Sequence, residues 1–224
     1  HVQWVKNQQA NNRVVAAVNA CTVFEFAWYL RGMDQLFMDL FEENEIGTFL
    51  LDKILDISCN MAKLHCEAGD DLILFGDDVG MQNGMMMSVD FWREHFKWRL
   101  AKAIETVREH QKEHIYIAYH SDGDIRQIIP ELIEVGVEVL NPVQPECMPV
   151  DEVLRQYKDQ LAFWGMIGTQ TTMPFGKPDD VRKAVEQCKQ LASEGVRQII
   201  APTHVLEPDV PWQNIEALVQ AVRS

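Results

Sequence analysis

The sequence predicts an α/β protein built on a parallel sheet, in the form of a (β/α)8 barrel, and three observations carry that expectation. From Leu72 onward, short runs rich in β-branched and aromatic residues alternate with longer stretches of helical period, the pattern of βαβ units. Polar clusters stand where four of the short runs end, which is where the carboxyl-end loops of a barrel carry their chemistry. No Gly-rich phosphate loop follows any run, so a doubly wound open sheet ranks second.

The elements follow in order. Residues 2–12 are polar and rich in Gln and Asn, without a core pattern, as in a chain entered partway through a connection. Strands are expected over residues 14–20, 72–76, 115–119, 137–140, 161–165 and 197–201. Residues 32–68 read as helix throughout, with Asn44-Glu45 as the break, so two helices should pack over one rim. Later helices announce their starts: Ser88 leads into Phe91-Trp92-Arg93-Glu94, Pro178-Asp179-Asp180 opens a helix to Ser193, and Pro211 opens the last one through Ala221. A closed barrel needs eight strands and typically about 250 residues. Six strands leave the count two short, so the chain is expected to be a single barrel domain lacking its amino-terminal strands.

A composition of 47% hydrophobic and 24% charged residues supplies apolar mass for one sizeable core. The net charge of −14 repels a phosphate backbone and argues against DNA or RNA as a partner. No run approaches the roughly 18 consecutive apolar residues of a membrane span, and His1-Val2-Gln3-Trp4 lacks the order of a signal peptide, so a cytoplasmic protein is expected. Cys21, Cys59, Cys66, Cys147 and Cys188 form no CxxC pair and read as free thiols.

The polar clusters are Gly76-Asp77-Asp78-Val79-Gly80, Tyr119-His120-Ser121-Asp122-Gly123-Asp124, Asn141-Pro142-Val143-Gln144-Pro145-Glu146 and Ala201-Pro202-Thr203-His204. His120 and Asp122 stand two apart at a strand end, so in extended backbone both face one side and can reach one metal ion. His204 supplies a third ligand, and Asp124 a carboxylate to orient an imidazole. The alternative is that Ser121, Asp122 or Asp124 caps the next helix and His120 is merely hydrogen-bonded. Asp77 and Asp78 are a like-charge pair suited to a raised pKa and general acid work, or to binding substrate hydroxyls; otherwise they make a turn. Gln144 and Glu146 are candidate substrate contacts, with a solvated loop carboxylate as the plainer reading of Glu146. Met86, within Met85-Met86-Met87, offers a soft apolar wall for an aromatic or macrocyclic ligand, or core filling. Trp92, Trp98 and Trp164 read as buried packing. His65, His95, His110 and His114 lie in helices or at their ends among charged neighbours and receive no role.

These motifs, together with Asp209-Val210-Pro211 and Asn214-Ile215-Glu216-Ala217-Leu218, resemble the uroporphyrinogen decarboxylase-like superfamily, in particular its methyltransferase-like branches, over nearly the whole chain. The resemblance implies a (β/α)8 barrel with a further amino-terminal stretch. In the corrinoid-dependent methyltransferases of that superfamily, a His-x-Cys-Gly motif and a later Cys bind zinc. Here His120 matches the His, Asp122 stands at the Cys, and His204 lies near the later Cys. Both thiolates are thus replaced by harder ligands, which makes a bound Zn²⁺ a stronger Lewis acid and turns the expectation from coenzyme M toward O-demethylation.

The resemblance therefore implies a methyltransferase that moves a methyl group from a small methoxylated or methylated compound to cobalamin on a partner corrinoid protein. Zinc, or an acid such as Asp77 or Asp78, would draw charge from the ether oxygen. The catalytic set is Asp77, Asp78, His120 and His204. A small-molecule substrate and the corrinoid protein are the partners, and a homodimer is left open. Two alternatives stand beside it: a metal-free decarboxylase of a tetrapyrrole or related acid, and a barrel that only captures a ligand. A further departure is Gly168, in Met166-Ile167-Gly168-Thr169-Gln170, where related sequences usually carry Asp.

Overall fold

The computed structural model describes residues 1–224. In chain order the elements are α1 (Val2–Ala10), β1 (Ala16–Ala20), α2 (Phe24–Arg31), α3 (Met33–Phe41), α4 (Glu45–Ala68), β2 (Leu72–Gly76), β3 (Gly80–Met81), β4 (Gly84–Met85) and α5 (Val89–Trp92). After a π-helical turn at Arg93–Lys97 come α6 (Trp98–His110), β5 (Tyr116–His120), a 3₁₀ turn at Arg126–Ile128, α7 (Ile129–Glu134), β6 (Val139–Asn141) and α8 (Val150–Tyr157). The chain closes with β7 (Ala162–Ile167), α9 (Thr172–Phe175), α10 (Pro178–Ser193), β8 (Gln198–Pro202) and α11 (Trp212–Arg223). The six longer strands form one sheet in the order β1-β2-β5-β6-β7-β8, and β3 and β4 form a separate antiparallel hairpin. This is the α/β class with a six-stranded sheet that the alternation of patterns predicts.

The chain divides into two compact units. The first holds residues 1–78, 87–120 and 130–137, with β1, β2 and β5 paired in parallel. Its register sets Ala20 opposite Gly76 and Gly76 opposite His120, so the three strands end level. Gly76 is required there: a Cβ on it would run into the backbone and Cβ of His120. Beneath lie Ile73, Phe75 and Ile117, all fully buried, with Phe24 edge-on to Phe96 at 5.2 Å. Burying a side chain of this size contributes about 1.5–3 kcal/mol.

Local chemistry fixes the helix ends. The break expected at Asn44-Glu45 is the start of α4: the Asn44 side chain accepts the Ile46 N–H at 2.9 Å. Gly69 ends that helix in the left-handed region at φ 80°. Ser88 caps α5 by accepting the Phe91 N–H at 3.2 Å, as its sequence position predicts.

The second unit holds residues 79–86, 121–129 and 138–224. It pairs β6 with β7 and β7 with β8 in parallel, around Leu140, Phe163, Ile167, Met173 and Val181, all fully buried. In α10, Pro178 opens the helix and the Asp180 carboxylate accepts the Lys177 N–H at 3.0 Å.

Three expectations are corrected, the first being that Trp98, expected as buried packing, is exposed at 46%, its ring covered on one face by the Arg99 guanidinium at 4.2 Å. Residues 2–12 are not a featureless connection: nine of them form α1, anchored by Val5, which is fully buried in a cluster with Val15 and Ala68. One buried apolar residue in a polar helix is too sparse a stripe to read from sequence. The hairpin β3-β4, built on Gly80 and Gly84, was also unforeseen, because two-residue strands carry no periodicity. No helix is long and apolar enough to cross a membrane.

Candidate functional site

Because β1, β2 and β5 end level, the residues just past those ends share one rim of the first unit. Asp77 follows β2 and is buried. Its carboxylate accepts the Val23 N–H at 3.0 and 3.2 Å and the Glu25 N–H at 3.0 Å. The first turn of α2 is preceded by Val23, whose side chain cannot accept a bond, so a distant strand end supplies the cap that the local sequence lacks. Burial pushes the Asp77 carboxyl up to about 7, against the pull of these backbone donors and with the negative charge of Glu25 adding to the rise.

Glu25, also buried, accepts the Tyr29 hydroxyl at 3.0 Å and the Asp78 N–H at 3.2 Å. Cys21 follows β1 in the left-handed region at φ 57°, and burial with the charges of Glu25, Asp77 and Asp78 pushes its thiol up to about 12. It stays a protonated thiol. Tyr119, near the end of β5, donates weakly to the Asp77 carbonyl at 3.4 Å, and burial holds its phenol well above the ordinary range. His120 ends the strand with its Nε2 3.6 Å from an Asp78 carboxylate oxygen. The Asp77-Asp78 turn thus does two jobs: Asp77 braces the helix start, while Asp78 turns toward an imidazole.

The sequence assigns no site role to Cys21, read only as a free thiol, to Tyr119, named only within its cluster, or to Glu25. The strand-end rule that flagged the other clusters would have found Cys21 had it been applied to residues 14–20. Glu25 is hidden in the apolar run Val23-Phe24-Glu25-Phe26.

In the second unit the other candidates separate by partner. Asp124 is held by Arg126 at 2.6 Å and accepts the Arg126 N–H at 3.1 Å, which keeps its carboxyl below the usual range. It starts the 3₁₀ turn, and the carboxylate beside the His120 ring is Asp78. Gln144 is buried and its carbonyl accepts the Gly123 N–H at 2.6 Å, pinning the loop after His120. One oxygen of Glu146 accepts the Gln170 and Thr171 N–H groups at 3.2 and 3.0 Å and the Thr171 hydroxyl at 2.9 Å. Its other oxygen is buried without a hydrogen bond. A Cβ at Gly168 would overlap this carboxylate, so Glu146 fills the space a side chain at 168 would take. Met86 is half-buried beside the hairpin, its N–H donating to the Val79 carbonyl at 2.8 Å, whereas Met87 is buried as core. His204 lies two residues past β8 and is exposed. Of the three expected metal ligands, His120 belongs to the first unit, and Asp122 and His204 belong to the second. Two imidazoles and a carboxylate suit zinc.

Comparison with known proteins gives these features a context. A family model described as uroporphyrinogen decarboxylase (URO-D) matches residues 2–224. A methylcobamide:CoM methyltransferase MtaA from Methanosarcina barkeri is 28% identical over 178 residues, covering 78% of this chain and 49% of that protein. The protein of the same name from strain Fusaro is 26% identical with the same coverage. The chain thus spans about half the length of the curated relatives it matches. A solved methyltransferase from Methanosarcina mazei superposes with a TM-score of 0.70 at 22% identity, over 88% of this chain and 55% of that one. A dihydropteroate synthase from Anaplasma phagocytophilum, solved with 6-hydroxymethylpterin-monophosphate bound, gives 0.56 at 14% identity over 94% and 75%. At these identities the two structures speak for the fold.

Proposed function

Because the chain belongs to the uroporphyrinogen decarboxylase family, we propose that it serves a corrinoid-linked methyltransferase that takes a methyl group from a small methoxylated or methylated compound. The cobalamin would be carried by a separate corrinoid protein. Support comes from the curated relatives, both methylcobamide:CoM methyltransferases by name. The observation that carries the reading is the His120 imidazole at the level strand ends of the first unit, with an Asp78 carboxylate oxygen 3.6 Å from its Nε2. By their motif positions His120, Asp122 and His204 would be the zinc ligands, and the ion would supply Lewis-acid polarisation of the substrate oxygen. Imidazole and carboxylate are harder donors than thiolates, which favours an ether oxygen over a thiol as the group polarised.

In O-demethylation the methyl carbon leaves oxygen without the bonding pair and is taken by cobalt(I), while the oxygen keeps the pair and needs one proton. The rim of the first unit can hold that proton. Asp77 titrates near neutrality, and Asp78, about a third exposed, is its more accessible neighbour. Asp78 would also fix the orientation of the His120 ring, as carboxylates beside metal-bound imidazoles do. The cluster of Glu25, Asp77 and Asp78 opposes a substrate with many carboxylates, which weighs against the decarboxylase alternative.

The test uses the full-length protein with free cob(I)alamin and a panel of methoxylated aromatic compounds, following the cob(I)alamin absorbance. Conversion to methylcobalamin by the wild type, lost in His120→Ala, is the expected result. No methyl transfer from any donor, together with carbon dioxide release from a porphyrinogen, would overturn the reading.

A further inference from the structure

At the amino end of β2, away from the rim just described, two imidazoles converge on a second buried carboxylate. The Asp70 side chain has no exposed surface, and its Oδ2 lies 2.8 Å from Nδ1 of His65, in the last turn of α4. Nε2 of His1, which precedes α1, lies 3.2 and 3.3 Å from the two Asp70 oxygens. The His1 ring stacks on Trp4 at 5.9 Å and meets His65 edge-on at 6.1 Å, so both rings are held in place by packing. Nε2 of His65 makes no hydrogen bond, so no competing partner draws that ring away. The neighbouring Asp71 is already committed: it accepts the Val15 N–H at 2.7 Å and the Gln9 amide at 3.0 Å. Beside the group lies a cavity of about 290 Å³ whose lining includes Lys6, Gln9, Glu67 and Lys112.

We propose that His1, His65 and Asp70 form a binding site for a divalent cation of the zinc type, distinct from the His120 group. One ligand atom from each lies within 4.8 Å of the others, with Asp70 oxygens 2.8 Å from the His65 and 3.2–3.3 Å from the His1 nitrogen. Zinc bonds of roughly 2.0–2.2 Å at tetrahedral angles put such ligands about 3.3–3.5 Å apart, so the His65 ring and Asp70 would part slightly to admit the ion. Water from the cavity would take the fourth position. The buried Asp70 carboxylate is the anionic member of the set, and a divalent ion would offset its charge. The ion would tie α1 to the corner between α4 and β2. Residues at the amino ends of parallel strands serve stability rather than chemistry, and a structural role fits that place.

The experiment strips the protein with a chelator, adds Zn²⁺ alone, and reads bound zinc by elemental analysis and the thermal midpoint. The parent is the His120→Ala/His204→Ala variant, in which the other group is disabled. Binding of one zinc per chain with a higher midpoint is expected in this parent, with both lost on adding His1→Ala or His65→Ala. His1 is half-exposed, so His1→Ala keeps the fold even where His65→Ala weakens it. A parent that binds no zinc, or one that keeps its zinc after His1→Ala, would overturn the site.

Discussion

Two Asp-Asp pairs bracket one strand: Asp70 and Asp71 precede β2, and Asp77 and Asp78 follow it. In each pair one carboxylate serves the backbone and the other faces imidazole. Before the strand, Asp71 holds the Val15 N–H and Asp70 meets His1 and His65. After it, Asp77 holds the Val23 and Glu25 N–H groups and Asp78 lies near His120. The same dipeptide is used twice, and what distinguishes the ends is the surrounding charge. Burial raises the carboxyl of Asp70, but His65 pulls it back. Asp77 is buried among Glu25, Asp78 and Tyr119, so its rise is opposed only by backbone donors. At the amino end an imidazole offsets part of the rise that burial causes; at the rim a neighbouring carboxylate adds to it.

The comparison breaks first at His120. If the carboxyl-end pair serves chemistry, His120→Ala should lower methyl transfer roughly a hundredfold or more, because it removes a ligand of the proposed ion. His65→Ala should leave the rate of correctly folded protein near wild type. Equal losses would mean that the two ends do not differ in role. A smaller effect sharpens the same point: Asp78→Asn should cost about 10–100-fold in rate, chiefly in kcat, through a poorly oriented His120 ring. Little change in zinc content should accompany it. A rate unchanged in Asp78→Asn would leave the 3.6 Å approach without a function.

Asp77 comes next, read as stability. Asp77→Ala strips the cap from α2 and leaves buried N–H groups unpaired, a cost of about 1–3 kcal/mol, measured by denaturant unfolding. The pH dependence separates charge from capping. The folded-state pKa is raised from 3.8 to about 7, so the folded protein binds this proton more tightly than the unfolded chain does. Its contribution to stability is therefore fully present below the unfolded value and is lost as pH rises through about 7. Asp77→Asn, which keeps an acceptor, should flatten the wild-type decline in stability across that window. An unchanged slope would show that Asp77 is ionised throughout.

How far this could be read in advance follows from the kind of signal each feature leaves. The strands at 72–76 and 161–165 are continuous apolar runs, and the structure places β2 at the expected bounds and β7 within two residues of them. Asn44, Ser88 and Pro178 announced their helices because capping depends on adjacent residues. The cap of α2 left no local trace, since its acceptor lies 54 residues away from Val23. Likewise His65, set aside among charged helix residues, acquires meaning only when α1 brings His1 to it. His120 and Asp122 at one strand end and His204 at another stood out in the sequence as polar residues after apolar runs. The division of labour between Asp77 and Asp78 did not, because a dipeptide does not reveal which side chain turns inward.

The smallest effect tests whether burial sets the difference between the two backbone-serving carboxylates. Asp71 is only partly buried and bonds one backbone N–H and one side-chain amide, against two backbone N–H groups on the enclosed Asp77. In Asp71→Ala water can reach the Val15 N–H, so the loss should be about 0.5–1.5 kcal/mol, below that of Asp77→Ala. Amide hydrogen exchange locates the damage: Val15 should exchange faster in Asp71→Ala with Val23 and Glu25 unchanged, and the reverse should hold in Asp77→Ala. If Asp71→Ala instead proves as costly as Asp77→Ala, the anchoring of α1 through Gln9 outweighs burial, and the amino end of β2 is as firmly built as the rim that carries the chemistry.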